Sequence, residues 1–218
     1  MSSSPPAAAD SFKDQKARTS YTIGFNIGSQ MKGDAIAVDP DVLARGVRDA
    51  LASATPAISL DQMRAAMTSL QASVIAHRQQ VAAQLADNNK TQGAAFLKAN
   101  AAKPGVVTLP SGLQYEILVK GTGARPKLTD TVVCNYRGTL TDGKEFDASD
   151  KHGGPASFPV TGVIKGWTEA LQLMPVGSKW RLVLPSELAY GEKGAGGDIG
   201  PDAVLVFEVE LVSIKAGS

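Results

Sequence analysis

The chain has few of the residues that build disulfide frameworks and metal sites. Its 218 residues include one cysteine, Cys134, and two histidines. A single cysteine excludes a disulfide within the chain and any site built from several thiolates. The histidines, His77 and His152, lie far apart in sequence and lack neighbouring ligand residues. We therefore expect no zinc site, and the sequence suggests no other metal or cofactor.

A strong charge of one sign and a long apolar run are also missing. The formal net charge is +1, which gives no electrostatic reason to expect nucleic acid or acidic lipid as a partner. No apolar run approaches the length needed to span a bilayer. The first ten residues, MSSSPPAAAD, lack the basic start and apolar core of a signal peptide. We interpret residues 1–10 as a disordered leader or the remainder of a removed signal.

The composition changes near residue 104. Alanine and apolar residues at helical spacing dominate before it, whereas most prolines and glycines and both tryptophans follow it. The junction Lys103-Pro104-Gly105 is a strong helix stop. We therefore predict a domain boundary there, with a helical part before it and a β-rich domain over residues 104–218.

Two short helices are predicted in the first part of the chain, over residues 11–58. The first spans about residues 11–31, and one of its faces carries Tyr21, Phe25 and Ile27. The second begins with Asp39 as its N-cap and Pro40 at its first position. Its apolar stripe consists of Val42, Leu43, Val47 and Leu51.

A third, long helix is predicted over residues 59–103, with an interruption or bend near Gly93. Ser59 and Gln62 fit a capping box at its start. A helix of about forty residues is roughly 60 Å long, far longer than a small helical domain. We expect its apolar seam to be partly an arm and partly a surface shared with a second copy of the chain; the alternative is packing on the first two helices alone. The seam residues alternate at spacings of four and three: Met63, Met67, Leu70, Val74, His77 and Val81.

The second part of the chain predicts short strands around one short helix. Alternating apolar residues mark strands in GLQYEILVK, DTVVCNYRGTL, SKWRLVLP and AVLVFEVELVSI. Between these strands, only residues 165–173 have a helical pattern. This arrangement predicts an antiparallel sheet packed on one helix, which is an α+β fold. The predicted inward faces are Leu113, Tyr115, Ile117 and Val119; Val132, Cys134 and Tyr136; and Leu205, Phe207, Val209 and Leu211.

Three segments carry a resemblance to a known family. VVCNYRGTLTDGKEFDAS, VIKGWTEALQLMPVGSKWRLVLPSELAYGEKG and IGPDAVLVFEVELVSI resemble, in order and spacing, the FKBP-type peptidyl-prolyl cis-trans isomerases. With the junction KPGVVTLPSGLQY and the helical first half, the whole chain resembles the macrophage infectivity potentiator (Mip) subgroup. That resemblance implies a homodimer joined through residues 11–58, a connecting helix over 59–103, and a periplasmic or outer-membrane-associated location. It also implies an FKBP-like domain over 104–218 and a role in virulence.

The resemblance implies an enzyme that accelerates rotation about X-Pro bonds in unfolded or exposed polypeptides. Such an enzyme assists protein folding and binds macrolide immunosuppressant-type inhibitors without a cofactor. An alternative from another class is a proline-segment-binding chaperone or holdase with little turnover.

The family's motif carries over to eleven positions of this chain. Three take catalytic positions: Tyr136, Asp147 and Tyr190. Eight take substrate-binding positions: Phe146, Phe158, Val163, Ile164, Trp167, Ile199, Leu205 and Phe207. Taken singly, each also fits ordinary core or turn structure; only the whole aromatic set at these spacings predicts a prolyl pocket.

This chain departs from the family pattern in two loops. Lys151 and His152 stand where many members place an arginine that pairs with the aspartate. Ala195 and Asp198 stand where others have bulkier or apolar residues. These departures leave the pocket floor intact and bear on ligand affinity and substrate preference.

Overall fold

The computed structural model describes residue 12 and residues 14–215. The predicted leader over residues 1–10 and the predicted helix start at residue 11 lie outside the described residues. The chain contains two compact units, one ending at Val81 and the other beginning at Ala82. The domain boundary that the composition predicts near residue 104 stays a prediction.

The order of elements has helices first and a sheet after them. The helices are α1 (Gln15–Gly33), α2 (Pro40–Leu51), α3 (Leu60–Ala101) and α4 (Lys165–Leu173). The strands are β1 (Val106–Thr108), β2 (Gln114–Val119), β3 (Thr131–Leu140), β4 (Glu145–Ala148), β5 (Ala156–Pro159), β6 (Lys179–Leu184) and β7 (Leu205–Lys215). Among the described residues, no helix combines the length and apolar character that crossing a membrane requires.

The helix starts follow the predicted capping chemistry. Asp39 accepts hydrogen bonds from the backbone of Asp41 at 2.9 Å and of Val42 at 3.1 Å. At the start of α3, the Ser59 amide donates to Gln62 Oε1 at 2.9 Å and the Gln62 amide donates to Ser59 Oγ at 3.2 Å. The first amides of a helix have no carbonyl in a preceding turn to donate to. These bonds supply acceptors at both helix starts, so each start is fixed locally.

Helix α3 is continuous through Gly93, so the predicted interruption is absent. A Cβ on this residue would lie 2.7 Å from Val204 Cγ2, and Gly93 is therefore required by close packing rather than by a break in the helix. Nearby, the Asn100 side chain donates to Gln114 Oε1 at 2.9 Å, and the Gln114 side chain donates to the Leu97 carbonyl at 3.0 Å. The last part of α3 is thus bound to the sheet within the second unit.

The first unit buries none of its described residues in the single chain. On α1, Phe25 is 61% exposed, and on α2, Leu51 is 85% exposed. The α3 seam is only partly covered: Met67 is 63% and Val81 is 47% exposed, whereas Met63, Leu70, Val74 and His77 are half-buried. Packing on the first two helices alone therefore leaves part of the seam in contact with solvent.

The sheet is antiparallel throughout and has the order β1-β2-β6-β7-β3-β4, with β5 also paired to β3. Strands β3 and β7 form its longest pairing, from Thr131 opposite Lys215 to Leu140 opposite Leu205. The predicted α+β class, with a helical first part and a sheet on one short helix, is confirmed. The side chains of α4 and the sheet share one core that includes Leu171, Met174, Leu182, Leu205, Val209 and Leu211.

One predicted strand face is only half buried. Leu113, just before β2, is fully buried, but Ile117 is 47% and Val119 is 51% exposed. The pairing of β2 with β6 shifts register between Ile117 and Val119. A shift of this kind breaks the alternation of faces, so the end of β2 does not follow the predicted pattern.

Candidate active site

A cleft of about 370 Å³ lies where the start of α4 meets the sheet. Strands β3, β4, β5 and β7 each contribute side chains to it, and the loop after β6 contributes Tyr190. Nine of its ten lining residues are predicted site residues, and Gly162 is the tenth. The ten are Tyr136, Phe146, Asp147, Phe158, Gly162, Val163, Ile164, Trp167, Tyr190 and Phe207.

Trp167 forms the floor of this cleft. It lies in the first turn of α4 and is 4% exposed, so most of its surface is also part of the core. Its indole N–H has no hydrogen-bond partner among the described residues. The indole meets three aromatic rings at centroid distances of 5.3–5.8 Å and angles of 81–83°, those of Phe207, Tyr136 and Phe158. Edge-to-face packing of this kind is favourable for aromatic quadrupoles and holds the rings rigidly.

Gly138 makes room for two of the aromatic walls. A Cβ at this position of β3 would lie 2.6 Å from ring atoms of Phe146 and 2.8 Å from Phe207. These two rings pack edge to face with centroids 5.5 Å apart. The sequence analysis missed Gly138, although a glycine inside a strand is a signal for such a close approach.

A chain of hydrogen bonds runs along the polar edge of the cleft. The Tyr136 hydroxyl donates to Asp147 Oδ2 at 2.8 Å. The other carboxylate oxygen, Oδ1, accepts from the Ala148 amide at 2.9 Å and lies 2.8 Å from His152 Nε2. The Tyr136 amide donates to Ser149 Oγ at 3.1 Å, which ties β3 to the 3₁₀ helix after β4. Asp147 is therefore fixed by donors from three residues.

This chain of bonds shifts two pKa values in opposite directions. Burial opposes ionisation of Asp147, but the hydrogen bonds from His152, Tyr136 and Ala148 outweigh it and lower the pKa of Asp147. Burial of the Tyr136 phenol, its hydrogen bond to Asp147 and the negative charge of Asp147 together raise the pKa of Tyr136 to about 12. At neutral pH the pair is therefore a carboxylate that accepts and a phenol that donates.

Two further polar groups at the cleft have no partner within the described part of the chain. The backbone N–H of Ile164, just before α4, makes no hydrogen bond there. The hydroxyl of Tyr190, a residue that is 40% exposed, likewise makes none among residues 14–215. Both groups are available to a bound peptide.

Two predicted substrate-binding residues do not line the cleft. Leu205 is fully buried at the start of β7, and Ile199 is 8% exposed. Ile199 pairs with Ala195 through two backbone hydrogen bonds, at 2.8 and 3.2 Å. The side chains of Leu205 and Ile199 belong to the hydrophobic core.

The charged departures from the family pattern have partners in the fold. Lys151 Nζ lies 3.0 Å from Glu145 Oε1, and Lys144 Nζ lies 2.7 Å from Asp198 Oδ1. His152, rather than Lys151, reaches Asp147. Among the residues that the structure describes, no three His, Cys, Asp or Glu side chains form a group that could hold a metal ion.

Comparisons with known proteins point to one family. Residues 123–212 match the family model for FKBP-type peptidyl-prolyl cis-trans isomerases, and residues 16–117 match the domain amino-terminal to such isomerases. The chain is 46% identical over 207 residues to the outer membrane protein MIP of Legionella longbeachae, covering 95% of this chain and 89% of that protein. It is 45% identical over 204 residues to the FKBP-type 22 kDa peptidyl-prolyl cis-trans isomerase of Escherichia coli strain K12, covering 93% and 97%. The fold is similar to the crystal structure of FkpA from Escherichia coli, with a TM-score of 0.74, 38% identity, and coverage of 95% of this chain and 100% of that chain.

Proposed function

The chain belongs to the FKBP-type peptidyl-prolyl cis-trans isomerases, and from this premise we propose that it rotates X-Pro bonds in the aromatic cleft over Trp167. It is an enzyme of that class, and its substrates are proline-containing polypeptides. The observation that supports this placement is the cleft itself. Three aromatic rings pack on Trp167, the Phe146 ring packs on one of them, and the Tyr136–Asp147 pair lies at the edge.

The reaction makes and breaks no covalent bond. Planarity carries the amide resonance, so the barrier to rotation is about 18–20 kcal/mol. Both isomers of an X-Pro bond are populated, yet their exchange takes tens to hundreds of seconds without a catalyst. The enzyme therefore needs no nucleophile, and it must bind the twisted amide more tightly than either planar form.

The apolar walls favour the twisted amide because it has lost charge separation between oxygen and nitrogen. A pocket with little water disfavours the planar, more polar amide relative to the twisted one. The rigid aromatic rings also hold the proline ring while the preceding carbonyl turns. Trp167 supplies the floor for that ring, and Phe146, Phe158 and Phe207 supply walls, with Val163 beside them.

Polar groups at the edge orient the backbone around the proline. The free Ile164 amide is positioned to donate to a substrate carbonyl. Asp147 and Tyr136 act as one hydrogen-bonded unit toward the rotating group, and the Tyr190 hydroxyl supplies a further donor or acceptor. Each tenfold gain in rate requires the activation free energy to fall by about 1.4 kcal/mol. Several such small contributions together therefore give a useful acceleration.

The two tryptophans provide a test of the placement. Trp167 lines the cleft, whereas Trp180 is equally buried but stacks on Tyr115, with centroids 4.4 Å apart, and does not line it. A peptide with an X-Pro bond, or a macrolide immunosuppressant-type inhibitor, should shift the indole N–H resonance of Trp167 and leave that of Trp180 in place. Turnover of the peptide without a shift at Trp167 would place the site elsewhere. Saturable shifts without isomerisation would support the holdase alternative.

We also propose a homodimer through the first unit. The described residues up to Val81 bury no side chain in the single chain, and large exposed apolar surfaces mark sites of association. Sedimentation equilibrium at micromolar concentration should give a dimer. Phe25→Glu in α1 should weaken it, whereas Val212→Glu, at a 42% exposed position of β7, should not. A monomeric wild-type chain contradicts this assembly.

A periplasmic or outer-membrane-associated location and a role in virulence complete the proposal. The location is supported by the relative named as an outer membrane protein, which this chain matches over 95% of its length. The role in virulence rests on the resemblance to the Mip subgroup alone. Fractionation of the cells that produce the protein tests the location. Deletion of the gene, with infection measured against a complemented strain, tests the role.

A further inference from the structure

We propose that Asn89 and Lys90, on the last part of helix α3, are positioning residues of this isomerase, which hold the loop that carries Tyr190. This loop, the Tyr190 loop, comprises residues 185–204 between β6 and β7. The proposal rests on the placement of the active site at the Trp167 cleft. It predicts that substitutions on a helix that does not line the cleft change the rate of isomerisation through Tyr190.

One face of α3 contacts the Tyr190 loop within the second unit. The Asn89 side-chain amide donates to the Pro201 carbonyl at 2.7 Å. One turn earlier, Leu85 packs closely on the next loop residue, since a Cβ on Gly200 would lie 2.7 Å from Leu85 Cδ2. Residues four apart share a helix face, so these two contacts fix one side of α3 against the loop.

Lys90 adds an ion pair with a buried carboxylate of the same loop. Its Nζ lies 3.3 Å from Asp202 Oδ2, and the Asp202 side chain is 8% exposed. The backbone of Asp202 has a φ of 55°, a left-handed conformation that aspartate adopts more readily than most residues. A buried carboxylate that loses its partner is costly, so the ion pair with Lys90 stabilises this conformation of the loop.

A backbone hydrogen bond extends this anchoring to the cleft. The Asp202 amide donates to the Gly191 carbonyl at 2.9 Å, and Gly191 directly follows Tyr190. Tyr190 is 40% exposed, whereas Trp167 on the cleft floor is 4% exposed. The Tyr190 ring therefore has less packing of its own, and its position depends on the backbone of the loop.

Loss of either anchor should let the Tyr190 loop leave the position that presents the hydroxyl to a bound peptide. We expect kcat/KM to fall by about threefold in Asn89→Ala and in Lys90→Met, the scale of one hydrogen bond. Asn88→Ala is the matched control, because it makes the same change one residue earlier on α3. The Asn88 side chain accepts from Gln92 of the same helix at 3.0 Å, and its loss should leave kcat/KM at the wild-type level.

The experiment measures kcat/KM by exchange NMR on a short X-Pro peptide with blocked termini, with the full chain as wild type and as each variant. The three substitutions on α3 are then repeated in a Tyr190→Ala background. Tyr190→Ala alone should lower activity. Asn89→Ala and Lys90→Met should add little to that loss, because no side chain is left for the loop to position.

The ring resonances of Tyr190 provide a second readout, which a general loss of stability would not reproduce. They should shift in Asn89→Ala and in Lys90→Met and stay in place in Asn88→Ala. The ring resonances of Tyr115, which stacks on Trp180 away from the cleft, should stay in place in all three variants. Melting curves confirm that folded protein is compared.

Wild-type activity or unshifted Tyr190 resonances in Asn89→Ala or Lys90→Met overturn the role of the residue that was changed. A loss that persists in full in the Tyr190→Ala background overturns it as well, since the effect then does not pass through Tyr190.

Asp147→Ala separates these failures from a failure of the site placement. If Asp147→Ala lowers activity while the α3 variants or Tyr190→Ala behave as wild type, the site stands and α3 does not act on it through Tyr190. If Asp147→Ala and Tyr190→Ala both keep full activity, the placement of the site is wrong and this proposal falls with it.

Discussion

Tyr136 donates its phenolic hydrogen to Oδ2 of Asp147 at 2.8 Å, which joins strand β3 to strand β4 at the edge of the aromatic cleft. The same tyrosine packs its ring edge on Trp167 with centroids 5.5 Å apart. One side chain therefore connects the polar edge of the site to its apolar floor. A change at either end of this bond alters both the orientation of the donor and the packing of the floor.

Asp147→Ala and Tyr136→Phe should each lower kcat/KM by one to two orders of magnitude, or about 1.4–2.8 kcal/mol. Because the two groups act as a unit, the double variant should lose far less than the sum of the single losses. Exchange NMR on an X-Pro peptide measures the rates, and near-UV circular dichroism checks that the fold is kept. Full activity in both single variants would show that the site lies elsewhere.

Gly138→Ala should lower activity by disturbing the aromatic walls. The new Cβ would lie 2.6 Å from the Phe146 ring and 2.8 Å from that of Phe207, so at least one ring must move. Gly197→Ala is the matched control, since a Cβ there meets no atom within 4 Å. We expect a loss of about tenfold in kcat/KM for Gly138→Ala and little change for Gly197→Ala. Equal effects of the two substitutions would contradict this role of Gly138.

Phe207→Ala should cost stability as well as activity. Its ring is 5% exposed and packs on Trp167 at 5.3 Å, so its removal leaves a cavity in the core. Substitutions of this kind lower the free energy of unfolding by about 3–5 kcal/mol. Phe146→Ala, at a half-buried wall position, should impair activity with a smaller loss of stability. Urea unfolding of both variants measures the difference, and the reverse order would contradict these packing roles.

The thiol of Cys134 should be unreactive in the folded protein. Its side chain is fully buried on β3, and burial raises the pKa of the thiol to about 12. A thiol-specific reagent at pH 8 should therefore label the chain only after denaturant is added, with one label per chain because there is one cysteine. Rapid labelling of the native protein would show that β3 opens locally, a property that would also loosen Tyr136 on the same strand.

The sequence predicted those parts of the fold that depend on local chemistry. The caps at Asp39 and Ser59 are set within three residues, and α4 (Lys165–Leu173) matches its predicted range. The inward face of β7 was equally predictable, because a strand in the middle of a sheet with one buried face alternates cleanly. The short strands β1, β4 and β5 were not predicted as strands, since three or four residues carry too little periodicity to mark one.

Features that depend on tertiary contacts could not be predicted. Gly93 predicted an interrupted helix because glycine weakens helices. The fold instead needs a glycine there because Val204, more than one hundred positions away, packs directly against it. The family motif places Ile199 at the site, yet in the fold a bridge to Ala195 holds it outside the cleft lining. The sequence marked His152 as a departure, and only the fold shows that its Nε2 reaches Asp147.

The helical first part of the chain should matter for protein substrates and not for short peptides. The cleft of about 370 Å³ holds only a few residues around one proline, so affinity for that segment alone must be modest. An unfolded protein also offers apolar segments, and the apolar surface of the helices that the dimer leaves exposed, with its methionines, can adapt to varied sequences. Retention of a client on that surface, or between two copies of the chain, raises the effective concentration of its X-Pro bonds at a cleft.

A fragment over residues 82–218 tests this division of roles, because every residue of the sheet core lies within it. At equal concentration of clefts, the fragment should isomerise a blocked X-Pro peptide almost as fast as the full chain. On a refolding protein limited by proline isomerisation, the fragment should be slower by about tenfold or more, since local retention is lost. Thermal melting of the fragment serves as the control for its folding. Equal rates on both substrates would mean that the helices serve only to join two copies or to place the enzyme at a surface, because retention would then contribute nothing to catalysis.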